Sequence, residues 1–188
     1  MTQLSEPQVH RWTRQEYYRM ADAGLFHDRR VELIEGEVVD MPPQKNAHYT
    51  AILLAQRALE RAFGPNHVVR VQGPLDLGER SQPEPDLAVV PGSPRDYRDH
   101  PKTALLVVEV SDTTLAFDRE RKAKLFAKAG IPEYWIINLV DRVVEVYRTP
   151  SSELGGPRYE DVQAIPPGST VTALAAPAAP IHVTDLLP

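Results

Sequence analysis

Two short apolar runs, each with a carboxylate at one end, constrain the fold of this chain more than any other feature. Residues 88–90 and 105–108 are β-branched or aliphatic stretches bounded by Pro, Gly and Asp, so both are predicted to be largely buried strands. Asp86 precedes the first strand, and Glu109 continues the buried face of the second. A buried carboxylate is costly unless a cation or hydrogen bonds compensate for it. Two of them together therefore point to a divalent metal ion.

The two carboxylates meet only if the strands pair in a suitable register. Residues 91–103, which connect the strands, are rich in Pro, Asp and Arg and lack apolar periodicity, so they are predicted to lie on the surface. Pro83 and Pro85 remove two backbone donors and fix the approach of the chain to Asp86. Antiparallel pairing would bring Asp86 and Glu109 together, but the sequence does not determine the register.

Charge and cysteine content narrow the class of protein. The net charge of −5 argues against a protein that coats DNA through bulk charge, so any nucleic-acid contact must be local. The chain has no cysteine, which excludes disulfides, thiolate nucleophiles and zinc–thiolate sites and suits a reducing cytoplasm. Residues 1–10 are polar and no apolar run is long enough to span a bilayer, so we expect a cytoplasmic protein with no membrane partner.

We expect one domain over residues 1–188, with its core at about 13–148. Thr13 and Glu16 predict a capping box that opens a short helix ended by Gly24. A hairpin around Gly36 follows. The next helix is predicted over residues 46–63, from its apolar periodicity and its Gly-Pro stop.

The second half of the chain supplies the rest of the predicted sheet. Strand candidates lie at residues 68–71, 75–77, 134–138, 143–147, 159–165 and 181–187. The pair at 134–138 and 143–147 is the strongest hairpin and is expected to form the far side of the sheet. Residues 149–188 are expected to cover an edge, with the Ala-Pro run 173–180 as a linker without structure of its own.

A third charged group lies on the helix predicted after the potential cap residues 111–114. Lys122 precedes Leu125 and Phe126 by three and four residues, which places it on the apolar stripe of a helix that runs to Ala129. Either Lys122 faces the carboxylates, or it is a snorkelling lysine whose ammonium reaches water. If it faces them, Lys122→Met is expected to abolish activity and to change stability by less than about 1.5 kcal/mol.

Two further candidates remain open between a functional and a structural role. Glu32 lies in the N-terminal hairpin and either faces the site or is a solvated edge-strand charge, as Glu35 and Glu37 are expected to be. His48 lies in the first turn of the helix 46–63, where the helix dipole disfavours a cationic imidazole. It is either a neutral donor or ligand, or a capping or packing residue.

Taken in order, these motifs resemble the Uma2 family of the PD-(D/E)XK nuclease superfamily. The resemblance covers roughly residues 17–147 and is carried by residues 31–37, His48, Pro85-Asp86, residues 107–111, Lys122 and residues 129–135. It implies an α/β (α+β) fold of the restriction-endonuclease-like type, a mixed sheet flanked by helices, here with an extra N-terminal hairpin and C-terminal edge strands. It also implies that Asp86 and Glu109 are metal ligands. In one respect the chain departs from the superfamily, because Ser111 stands where a lysine is expected and Lys122 is the position that matches the family.

The activity implied is hydrolysis of DNA phosphodiester bonds by an endonuclease that uses Mg²⁺ or Mn²⁺. The metal would take carboxylate oxygens and the backbone carbonyl of Val110, and would lower the pKa of a bound water. Lys122 would orient or deprotonate that water and offset charge on phosphorus. Glu32 or His48 would support the metal or hold a second one.

Two other functions are compatible with the same residues. The chain could be a catalytically weak or inactive member of the family that binds nucleic acid or a protein partner, or it could hydrolyse another phosphate ester. The resemblance is also compatible with a homodimer, for which Trp12, Tyr17 and Tyr18 offer a possible contact.

Overall fold

The computed structural model describes residues 7–153 and 155–188. Along the chain it contains α1 (Arg14–Asp22), β1 (Val31–Ile34), β2 (Glu37–Asp40), α2 (Asn46–Phe63), β3 (His67–Val71), β4 (Leu87–Pro91), β5 (Leu106–Ser111), α3 (Leu115–Phe117), a π-turn (Asp118–Lys122), α4 (Ala123–Lys128), β6 (Glu133–Asn138), β7 (Val143–Ser151), β8 (Arg158–Ile165), β9 (Thr170–Val171) and β10 (Ile181–His182). Short 3₁₀ turns lie at Pro94–Asp96 and Val183–Asp185.

A six-stranded sheet in the order β3-β4-β5-β6-β7-β8 forms the centre of the fold. Its neighbours pair antiparallel except β5 and β6, which are parallel. The expected mixed sheet flanked by helices is therefore confirmed. The β6–β7 hairpin also forms, but it lies inside the sheet between β5 and β8, so its predicted place at the far side is wrong.

Side chains that alternate along the strands build two cores, one on each face of the sheet. Leu87 and Val89 of β4 point to the core shared with α2, whereas Ala88 and Val90 point to the core shared with α4. Both faces of the central strands are covered, which explains why β4, β5 and β6 have continuous apolar runs and only a few polar residues. One of these polar residues, Glu109 of β5, lies in the candidate site.

The first two helices begin and end largely as predicted. The side chain of Thr13 accepts a hydrogen bond from the Glu16 backbone, and the Glu16 carboxylate accepts one from the Thr13 backbone at 2.8 Å, which is the expected capping box. Helix α2 spans the predicted residues, and Gly64, with φ of 68°, follows its last turn. It buries a stripe of small and branched residues against the sheet.

Strands β1 and β2 form the predicted N-terminal hairpin as a separate two-stranded sheet. A backbone hydrogen bond ties the hairpin to the rest of the fold, because the backbone amide of Gln82 donates to the backbone carbonyl of Leu33 at 2.7 Å. The Tyr17 hydroxyl donates to the Val31 carbonyl at 3.0 Å, and its ring is buried. Tyr17 is therefore not available for the dimer contact considered above, while Trp12 and Tyr18 are exposed.

The C-terminal segment contributes more to the core than its composition indicates. Strand β8 forms the predicted edge of the sheet, but residues 75–77 do not form a strand, and the second strand of the tail is limited to β10. The interpretation of the Ala-Pro run as an unstructured linker is wrong, because Ala173 is 1% exposed and packs in the main core with Ala176 and Leu186.

None of the helices in the described ranges is both long and apolar enough to cross a membrane. Residues 1–6, the start of the segment in which no signal peptide is expected, lie outside the described residues.

The buried position of Ala173 leads to a test. Ala173→Asp is expected to lower the free energy of unfolding by at least about 3 kcal/mol, because it places an unpaired carboxylate in the core. Ala175→Asp introduces the same charge at an exposed position two residues later and is expected to stay within about 0.5 kcal/mol of the parent. Urea unfolding of both variants measures the difference. Equal midpoints would show that the Ala-Pro run is not part of the core.

Candidate active site

The register of two antiparallel strands brings the predicted carboxylates together. Leu87 of β4 pairs with Val108 of β5, so Asp86 and Glu109 lie opposite each other at the next position. The Asp86 amide lies 3.3 Å from Glu109 Oε2, and the Val110 amide donates to Asp86 Oδ2 at 2.9 Å. Both carboxylates are only 4% exposed. The register that the sequence left open is therefore the one that forms a site.

Lys122 lies between these carboxylates and Glu32. Its Nζ donates to Glu109 Oε1 at 2.8 Å and to Glu32 Oε1 at 3.3 Å, and the residue is 1% exposed. The alternative of a snorkelling lysine is wrong, because the ammonium is held by carboxylates inside the protein. The neighbouring Lys124 and Lys128 are exposed, as the helix pattern predicted.

The helix that carries Lys122 is not the regular helix that was predicted. A π-turn at Asp118–Lys122 separates α3 from α4, and the Ala123 amide donates to the Asp118 carbonyl five residues back. Such turns are rare and occur often at functional sites. Thr114, within the predicted cap segment, is the N-cap residue of α3, but its side chain makes no hydrogen bond to the described helix backbone. Its hydroxyl donates instead to Asp118 Oδ2 at 2.7 Å.

Glu32 belongs to the site although its strand lies outside the main sheet. It is fully buried, and only one of its carboxylate oxygens has a partner among the described residues, since Oε2 is buried without a hydrogen bond. The solvated edge-strand interpretation is thus wrong for Glu32. It is confirmed for Glu35 and Glu37, whose side chains are 48% and 41% exposed and pair with surface cations.

His48 approaches Asp86 from the other side of the sheet. Its Nε2 lies 3.2 Å from Asp86 Oδ2, at ion-pair distance but without hydrogen-bond alignment, so the buried nitrogen lacks a hydrogen-bond partner in the described structure. His48 does not cap α2, for which the described residues show no side-chain cap. The structure therefore places His48 beside the carboxylate pair.

Sequence reasoning missed three polar residues of the site. Asp118 is buried, and its Oδ2 accepts hydrogen bonds from Ser111 and Thr114. Its position four residues before Lys122 was the available signal, because that spacing places both residues on one helix face. Gln44 and Gln72 each bring an amide nitrogen to 3.4 Å from Asp86 Oδ1. Both lie in irregular segments, where no periodicity could reveal them.

Burial and mutual interaction set the protonation of the cluster. Burial raises the pKa of Asp86, but the adjacent His48 imidazole, the Val110 amide and Lys122 outweigh it and hold that pKa below its usual value. Burial raises the pKa of Glu109 well above its usual value, although Lys122 opposes the shift and the other carboxylates add to it. Burial also raises the pKa of Asp118.

The same carboxylates keep Lys122 charged. Burial alone would lower the pKa of Lys122, but Glu109, Glu32 and Asp118 together raise it above its usual value. Lys122 is therefore an ammonium at neutral pH. Five carboxylates and two cations, Lys122 and Arg30, line the same cavity, so formal negative charge is in excess there.

These side chains line a small cavity. It has a volume of about 30 Å³ and is bordered by Glu32, His48, Asp86, Glu109, Asp118 and Lys122, among others. That space holds a water molecule or an ion of similar size. In residues 7–153 and 155–188, no group of three or more His, Cys, Asp or Glu side chains is arranged so that it could hold a metal ion as it stands. The oxygen-rich wall is nevertheless of the kind that hard divalent cations prefer.

The crystal structure of a "putative nuclease belonging to DUF820" from Anabaena variabilis ATCC 29413 superposes with a TM-score of 0.71. At 16% sequence identity the match covers 93% of this chain and 96% of that one, so it supports the fold. No curated protein matches the chain. The family model Uma2, described as "Putative restriction endonuclease", matches residues 14–182. The chain therefore belongs to the Uma2 family, as the order of its motifs had indicated.

Proposed function

We propose that the protein is an endonuclease that hydrolyses DNA phosphodiester bonds with Mg²⁺ or Mn²⁺ at a site of the PD-(D/E)XK type. The observation that carries the proposal is the convergence of Asp86, Glu109 and Lys122 in one small cavity. Membership of a family described as restriction endonucleases supports a nuclease activity with a nucleic-acid substrate. The three residues come from three different elements, which makes their meeting hard to explain by packing alone.

The donor set fits a hard divalent cation. The cluster has an excess of carboxylates, and Glu32 Oε2 is a buried acceptor that no described group satisfies. Among the described residues, Asp86 Oδ1 has two long amide contacts at 3.4 Å and no shorter hydrogen bond. Asp86 and Glu109 would hold the ion with the carbonyl of Val110, and Glu32 lies within the same cavity. When bound, such an ion supplies a water of lowered pKa and neutralises phosphate charge.

Lys122 acts as a fixed positive charge in this proposal. Since the surrounding carboxylates raise its pKa, it is protonated and is not suited to remove a proton from water. Of the two roles considered for it, orienting the water and offsetting charge on the phosphate is the one that the geometry supports. Glu109 and Glu32 fix the position of the ammonium through their hydrogen bonds.

A plasmid-nicking assay tests the activity. The wild-type protein is expected to nick supercoiled DNA with Mg²⁺ or Mn²⁺ and to stop when EDTA is added. Asp86→Asn keeps the shape of the side chain but removes its charge, so the rate is expected to fall at least about a hundredfold. Calorimetric titration with Mn²⁺ is expected to show weaker binding in the same variant.

Asp22→Asn is the matched control, because Asp22 is exposed at the end of α1. Metal and DNA binding without any nicking would favour the inactive binding module over the nuclease. Hydrolysis of a small phosphodiester but not of DNA would favour another phosphate ester as substrate. Unchanged Mn²⁺ binding in Asp86→Asn would place the metal elsewhere.

The structure changes the expected effect of replacing Lys122. Lys122→Met leaves Glu109 and Glu32 buried without a cation, so the free energy of unfolding is expected to fall by about 3–5 kcal/mol at neutral pH. The sequence alone predicted a loss of less than about 1.5 kcal/mol, because methionine retains the packing of the lysine stem. The buried ion pairs make the larger loss the expected one. Lys124→Met, on the exposed face of the same helix, is expected to change it by less than about 0.5 kcal/mol.

The loss of stability caused by Lys122→Met should depend on pH in a defined direction. A carboxyl whose folded pKa is raised destabilises the fold above its unfolded pKa, and the penalty disappears as the pH falls and the group takes up a proton. Burial raises the pKa of Glu109, so Lys122→Met is expected to lose less stability at about pH 5 than at neutral pH. Adding Glu109→Gln should restore part of the loss. Urea unfolding measures all four proteins, and equal stability of Lys122→Met and Lys124→Met would contradict the buried ion pair.

A further inference from the structure

A basic cleft lies at the edge of the sheet, outside the cluster around Asp86. It has a volume of about 620 Å³ and is formed by α1, β3 and the segments around residues 76 and 97–102. Four basic side chains line it: Arg14, Arg70, Arg98 and Lys102. Because the chain carries a net charge of −5, this positive region is a local departure from the charge of the whole protein.

Three of these four cations form no ion pair with the described residues. Arg14 pairs with Asp76 through a contact of 2.8 Å. Arg70, Arg98 and Lys102 have no ion pair with any described carboxylate. Asp99 also lines the cleft, so two carboxylates face four cations.

Two of the arginines are incompletely satisfied. The Nε atoms of Arg14 and Arg70 are buried, and neither has a hydrogen-bond acceptor in the described ranges. A buried donor without an acceptor is unfavourable, and guanidinium groups can only donate. The ring of Tyr97 lies 6.0 Å from the Arg70 guanidinium carbon and restrains it. An anion is the kind of ligand that supplies acceptors to guanidinium groups.

The cleft is close to Asp86 along the sheet. Arg70 of β3 pairs with Ala88 of β4, which follows Asp86 by two residues in the chain. The backbone amide of Gln72 donates to the backbone carbonyl of Asp86 at 3.0 Å. Two residues of extended chain cover about 7 Å. This distance separates Asp86 from the residue opposite Arg70, so the site and the strand that carries Arg70 are neighbours in the sheet.

We propose that this cleft binds the phosphodiester backbone of the nucleic-acid strand on which the Asp86 site acts, at phosphates next to the one that reacts. The inference rests on the proposed function and adds the surface that holds the substrate. Arginine and lysine recognise phosphate oxygens without regard to sequence, and their binding releases counterions from the nucleic acid. The exposed ring of Tyr18 lines the same cleft and offers a face on which a base can stack.

Binding of a fluorescein-labelled DNA duplex in EDTA, measured by fluorescence anisotropy, tests the cleft without cleavage. The cleft variant combines Arg70→Gln, Arg98→Gln and Lys102→Gln. A control variant with the same change of charge combines three cations that are exposed on α2 and α4, namely Arg57→Gln, Arg61→Gln and Lys124→Gln. The cleft variant is expected to bind at least about tenfold more weakly at low salt, with the control within about twofold of wild type.

Salt dependence gives a second measurement. Between about 50 and 200 mM KCl, the slope of log K against log salt is expected to become shallower by about 0.9 for each phosphate that the variant no longer neutralises, so by about 2 to 3 in the cleft variant. If Arg70→Gln impairs folding, a double variant with Arg98→Gln and Lys102→Gln takes the place of the triple cleft variant, because both residues are exposed.

Several results would overturn the inference: no binding of DNA by the wild type, no loss in the cleft variant, an equal loss in the control, or equally tight binding of polyglutamate through the same three residues. Failure of the proposed function looks different. DNA bound through the cleft but never nicked would refute the nuclease and leave the cleft in place. Nicking by the cleft variant at the wild-type rate with limiting DNA would refute the cleft and leave the nuclease in place.

Discussion

The buried contact between the Lys122 ammonium and the carboxylates of Glu109 and Glu32 is the interaction on which the centre of this structure depends. It joins three elements that are distant in sequence: the N-terminal hairpin, β5 and the helix after β5. Charges buried this deeply are tolerated only when they are paired and hydrogen-bonded. The hairpin, which pairs with no strand of the main sheet, is thus tied to the core by charge as well as by the Gln82–Leu33 contact.

The contact leaves the cluster with unbalanced negative charge. Lys122 and Arg30 are the two cations among the described residues that line the cavity, and they face five carboxylates. Arg121, next to Lys122 in sequence, pairs instead with Glu37 at the surface. A cluster selected only for stability would be expected to have balanced charges or apolar replacements. An excess of negative charge is what a metal-binding role would require. The π-turn, which places Asp118 and Lys122 together, is likewise an unfavourable local feature of a kind that is common at functional sites.

The sequence indicated most of the elements and half of the site because those features are local. Helix α2 and the phase of Lys122 follow from 3.6-residue periodicity, and the buried positions of Asp86 and Glu109 follow from strand alternation. The β4–β5 register, the burial of Glu32 and the contacts of Gln44 and Gln72 depend on how separate segments dock, which no local pattern encodes. The Ala-Pro run was misread for a related reason. Small side chains such as Ala173 give no periodic apolar signal, yet they are the ones that allow a close approach to the sheet.

Charge on a larger scale links the cluster to the basic cleft. A phosphodiester strand is a polyanion, and both the net charge of −5 and the carboxylates at Asp86 would repel it. A substrate of this kind therefore needs a positive surface close to the site, because exposed charges farther away than about 8–10 Å are largely screened at physiological salt. Arg70 of the cleft lies opposite Ala88, two residues after Asp86, so the cleft begins on the strand next to the site. Strand β3 lies beside the segment that contains Asp86, and it also carries Arg70 of the cleft. One strand therefore contributes both to the site and to the basic surface next to it.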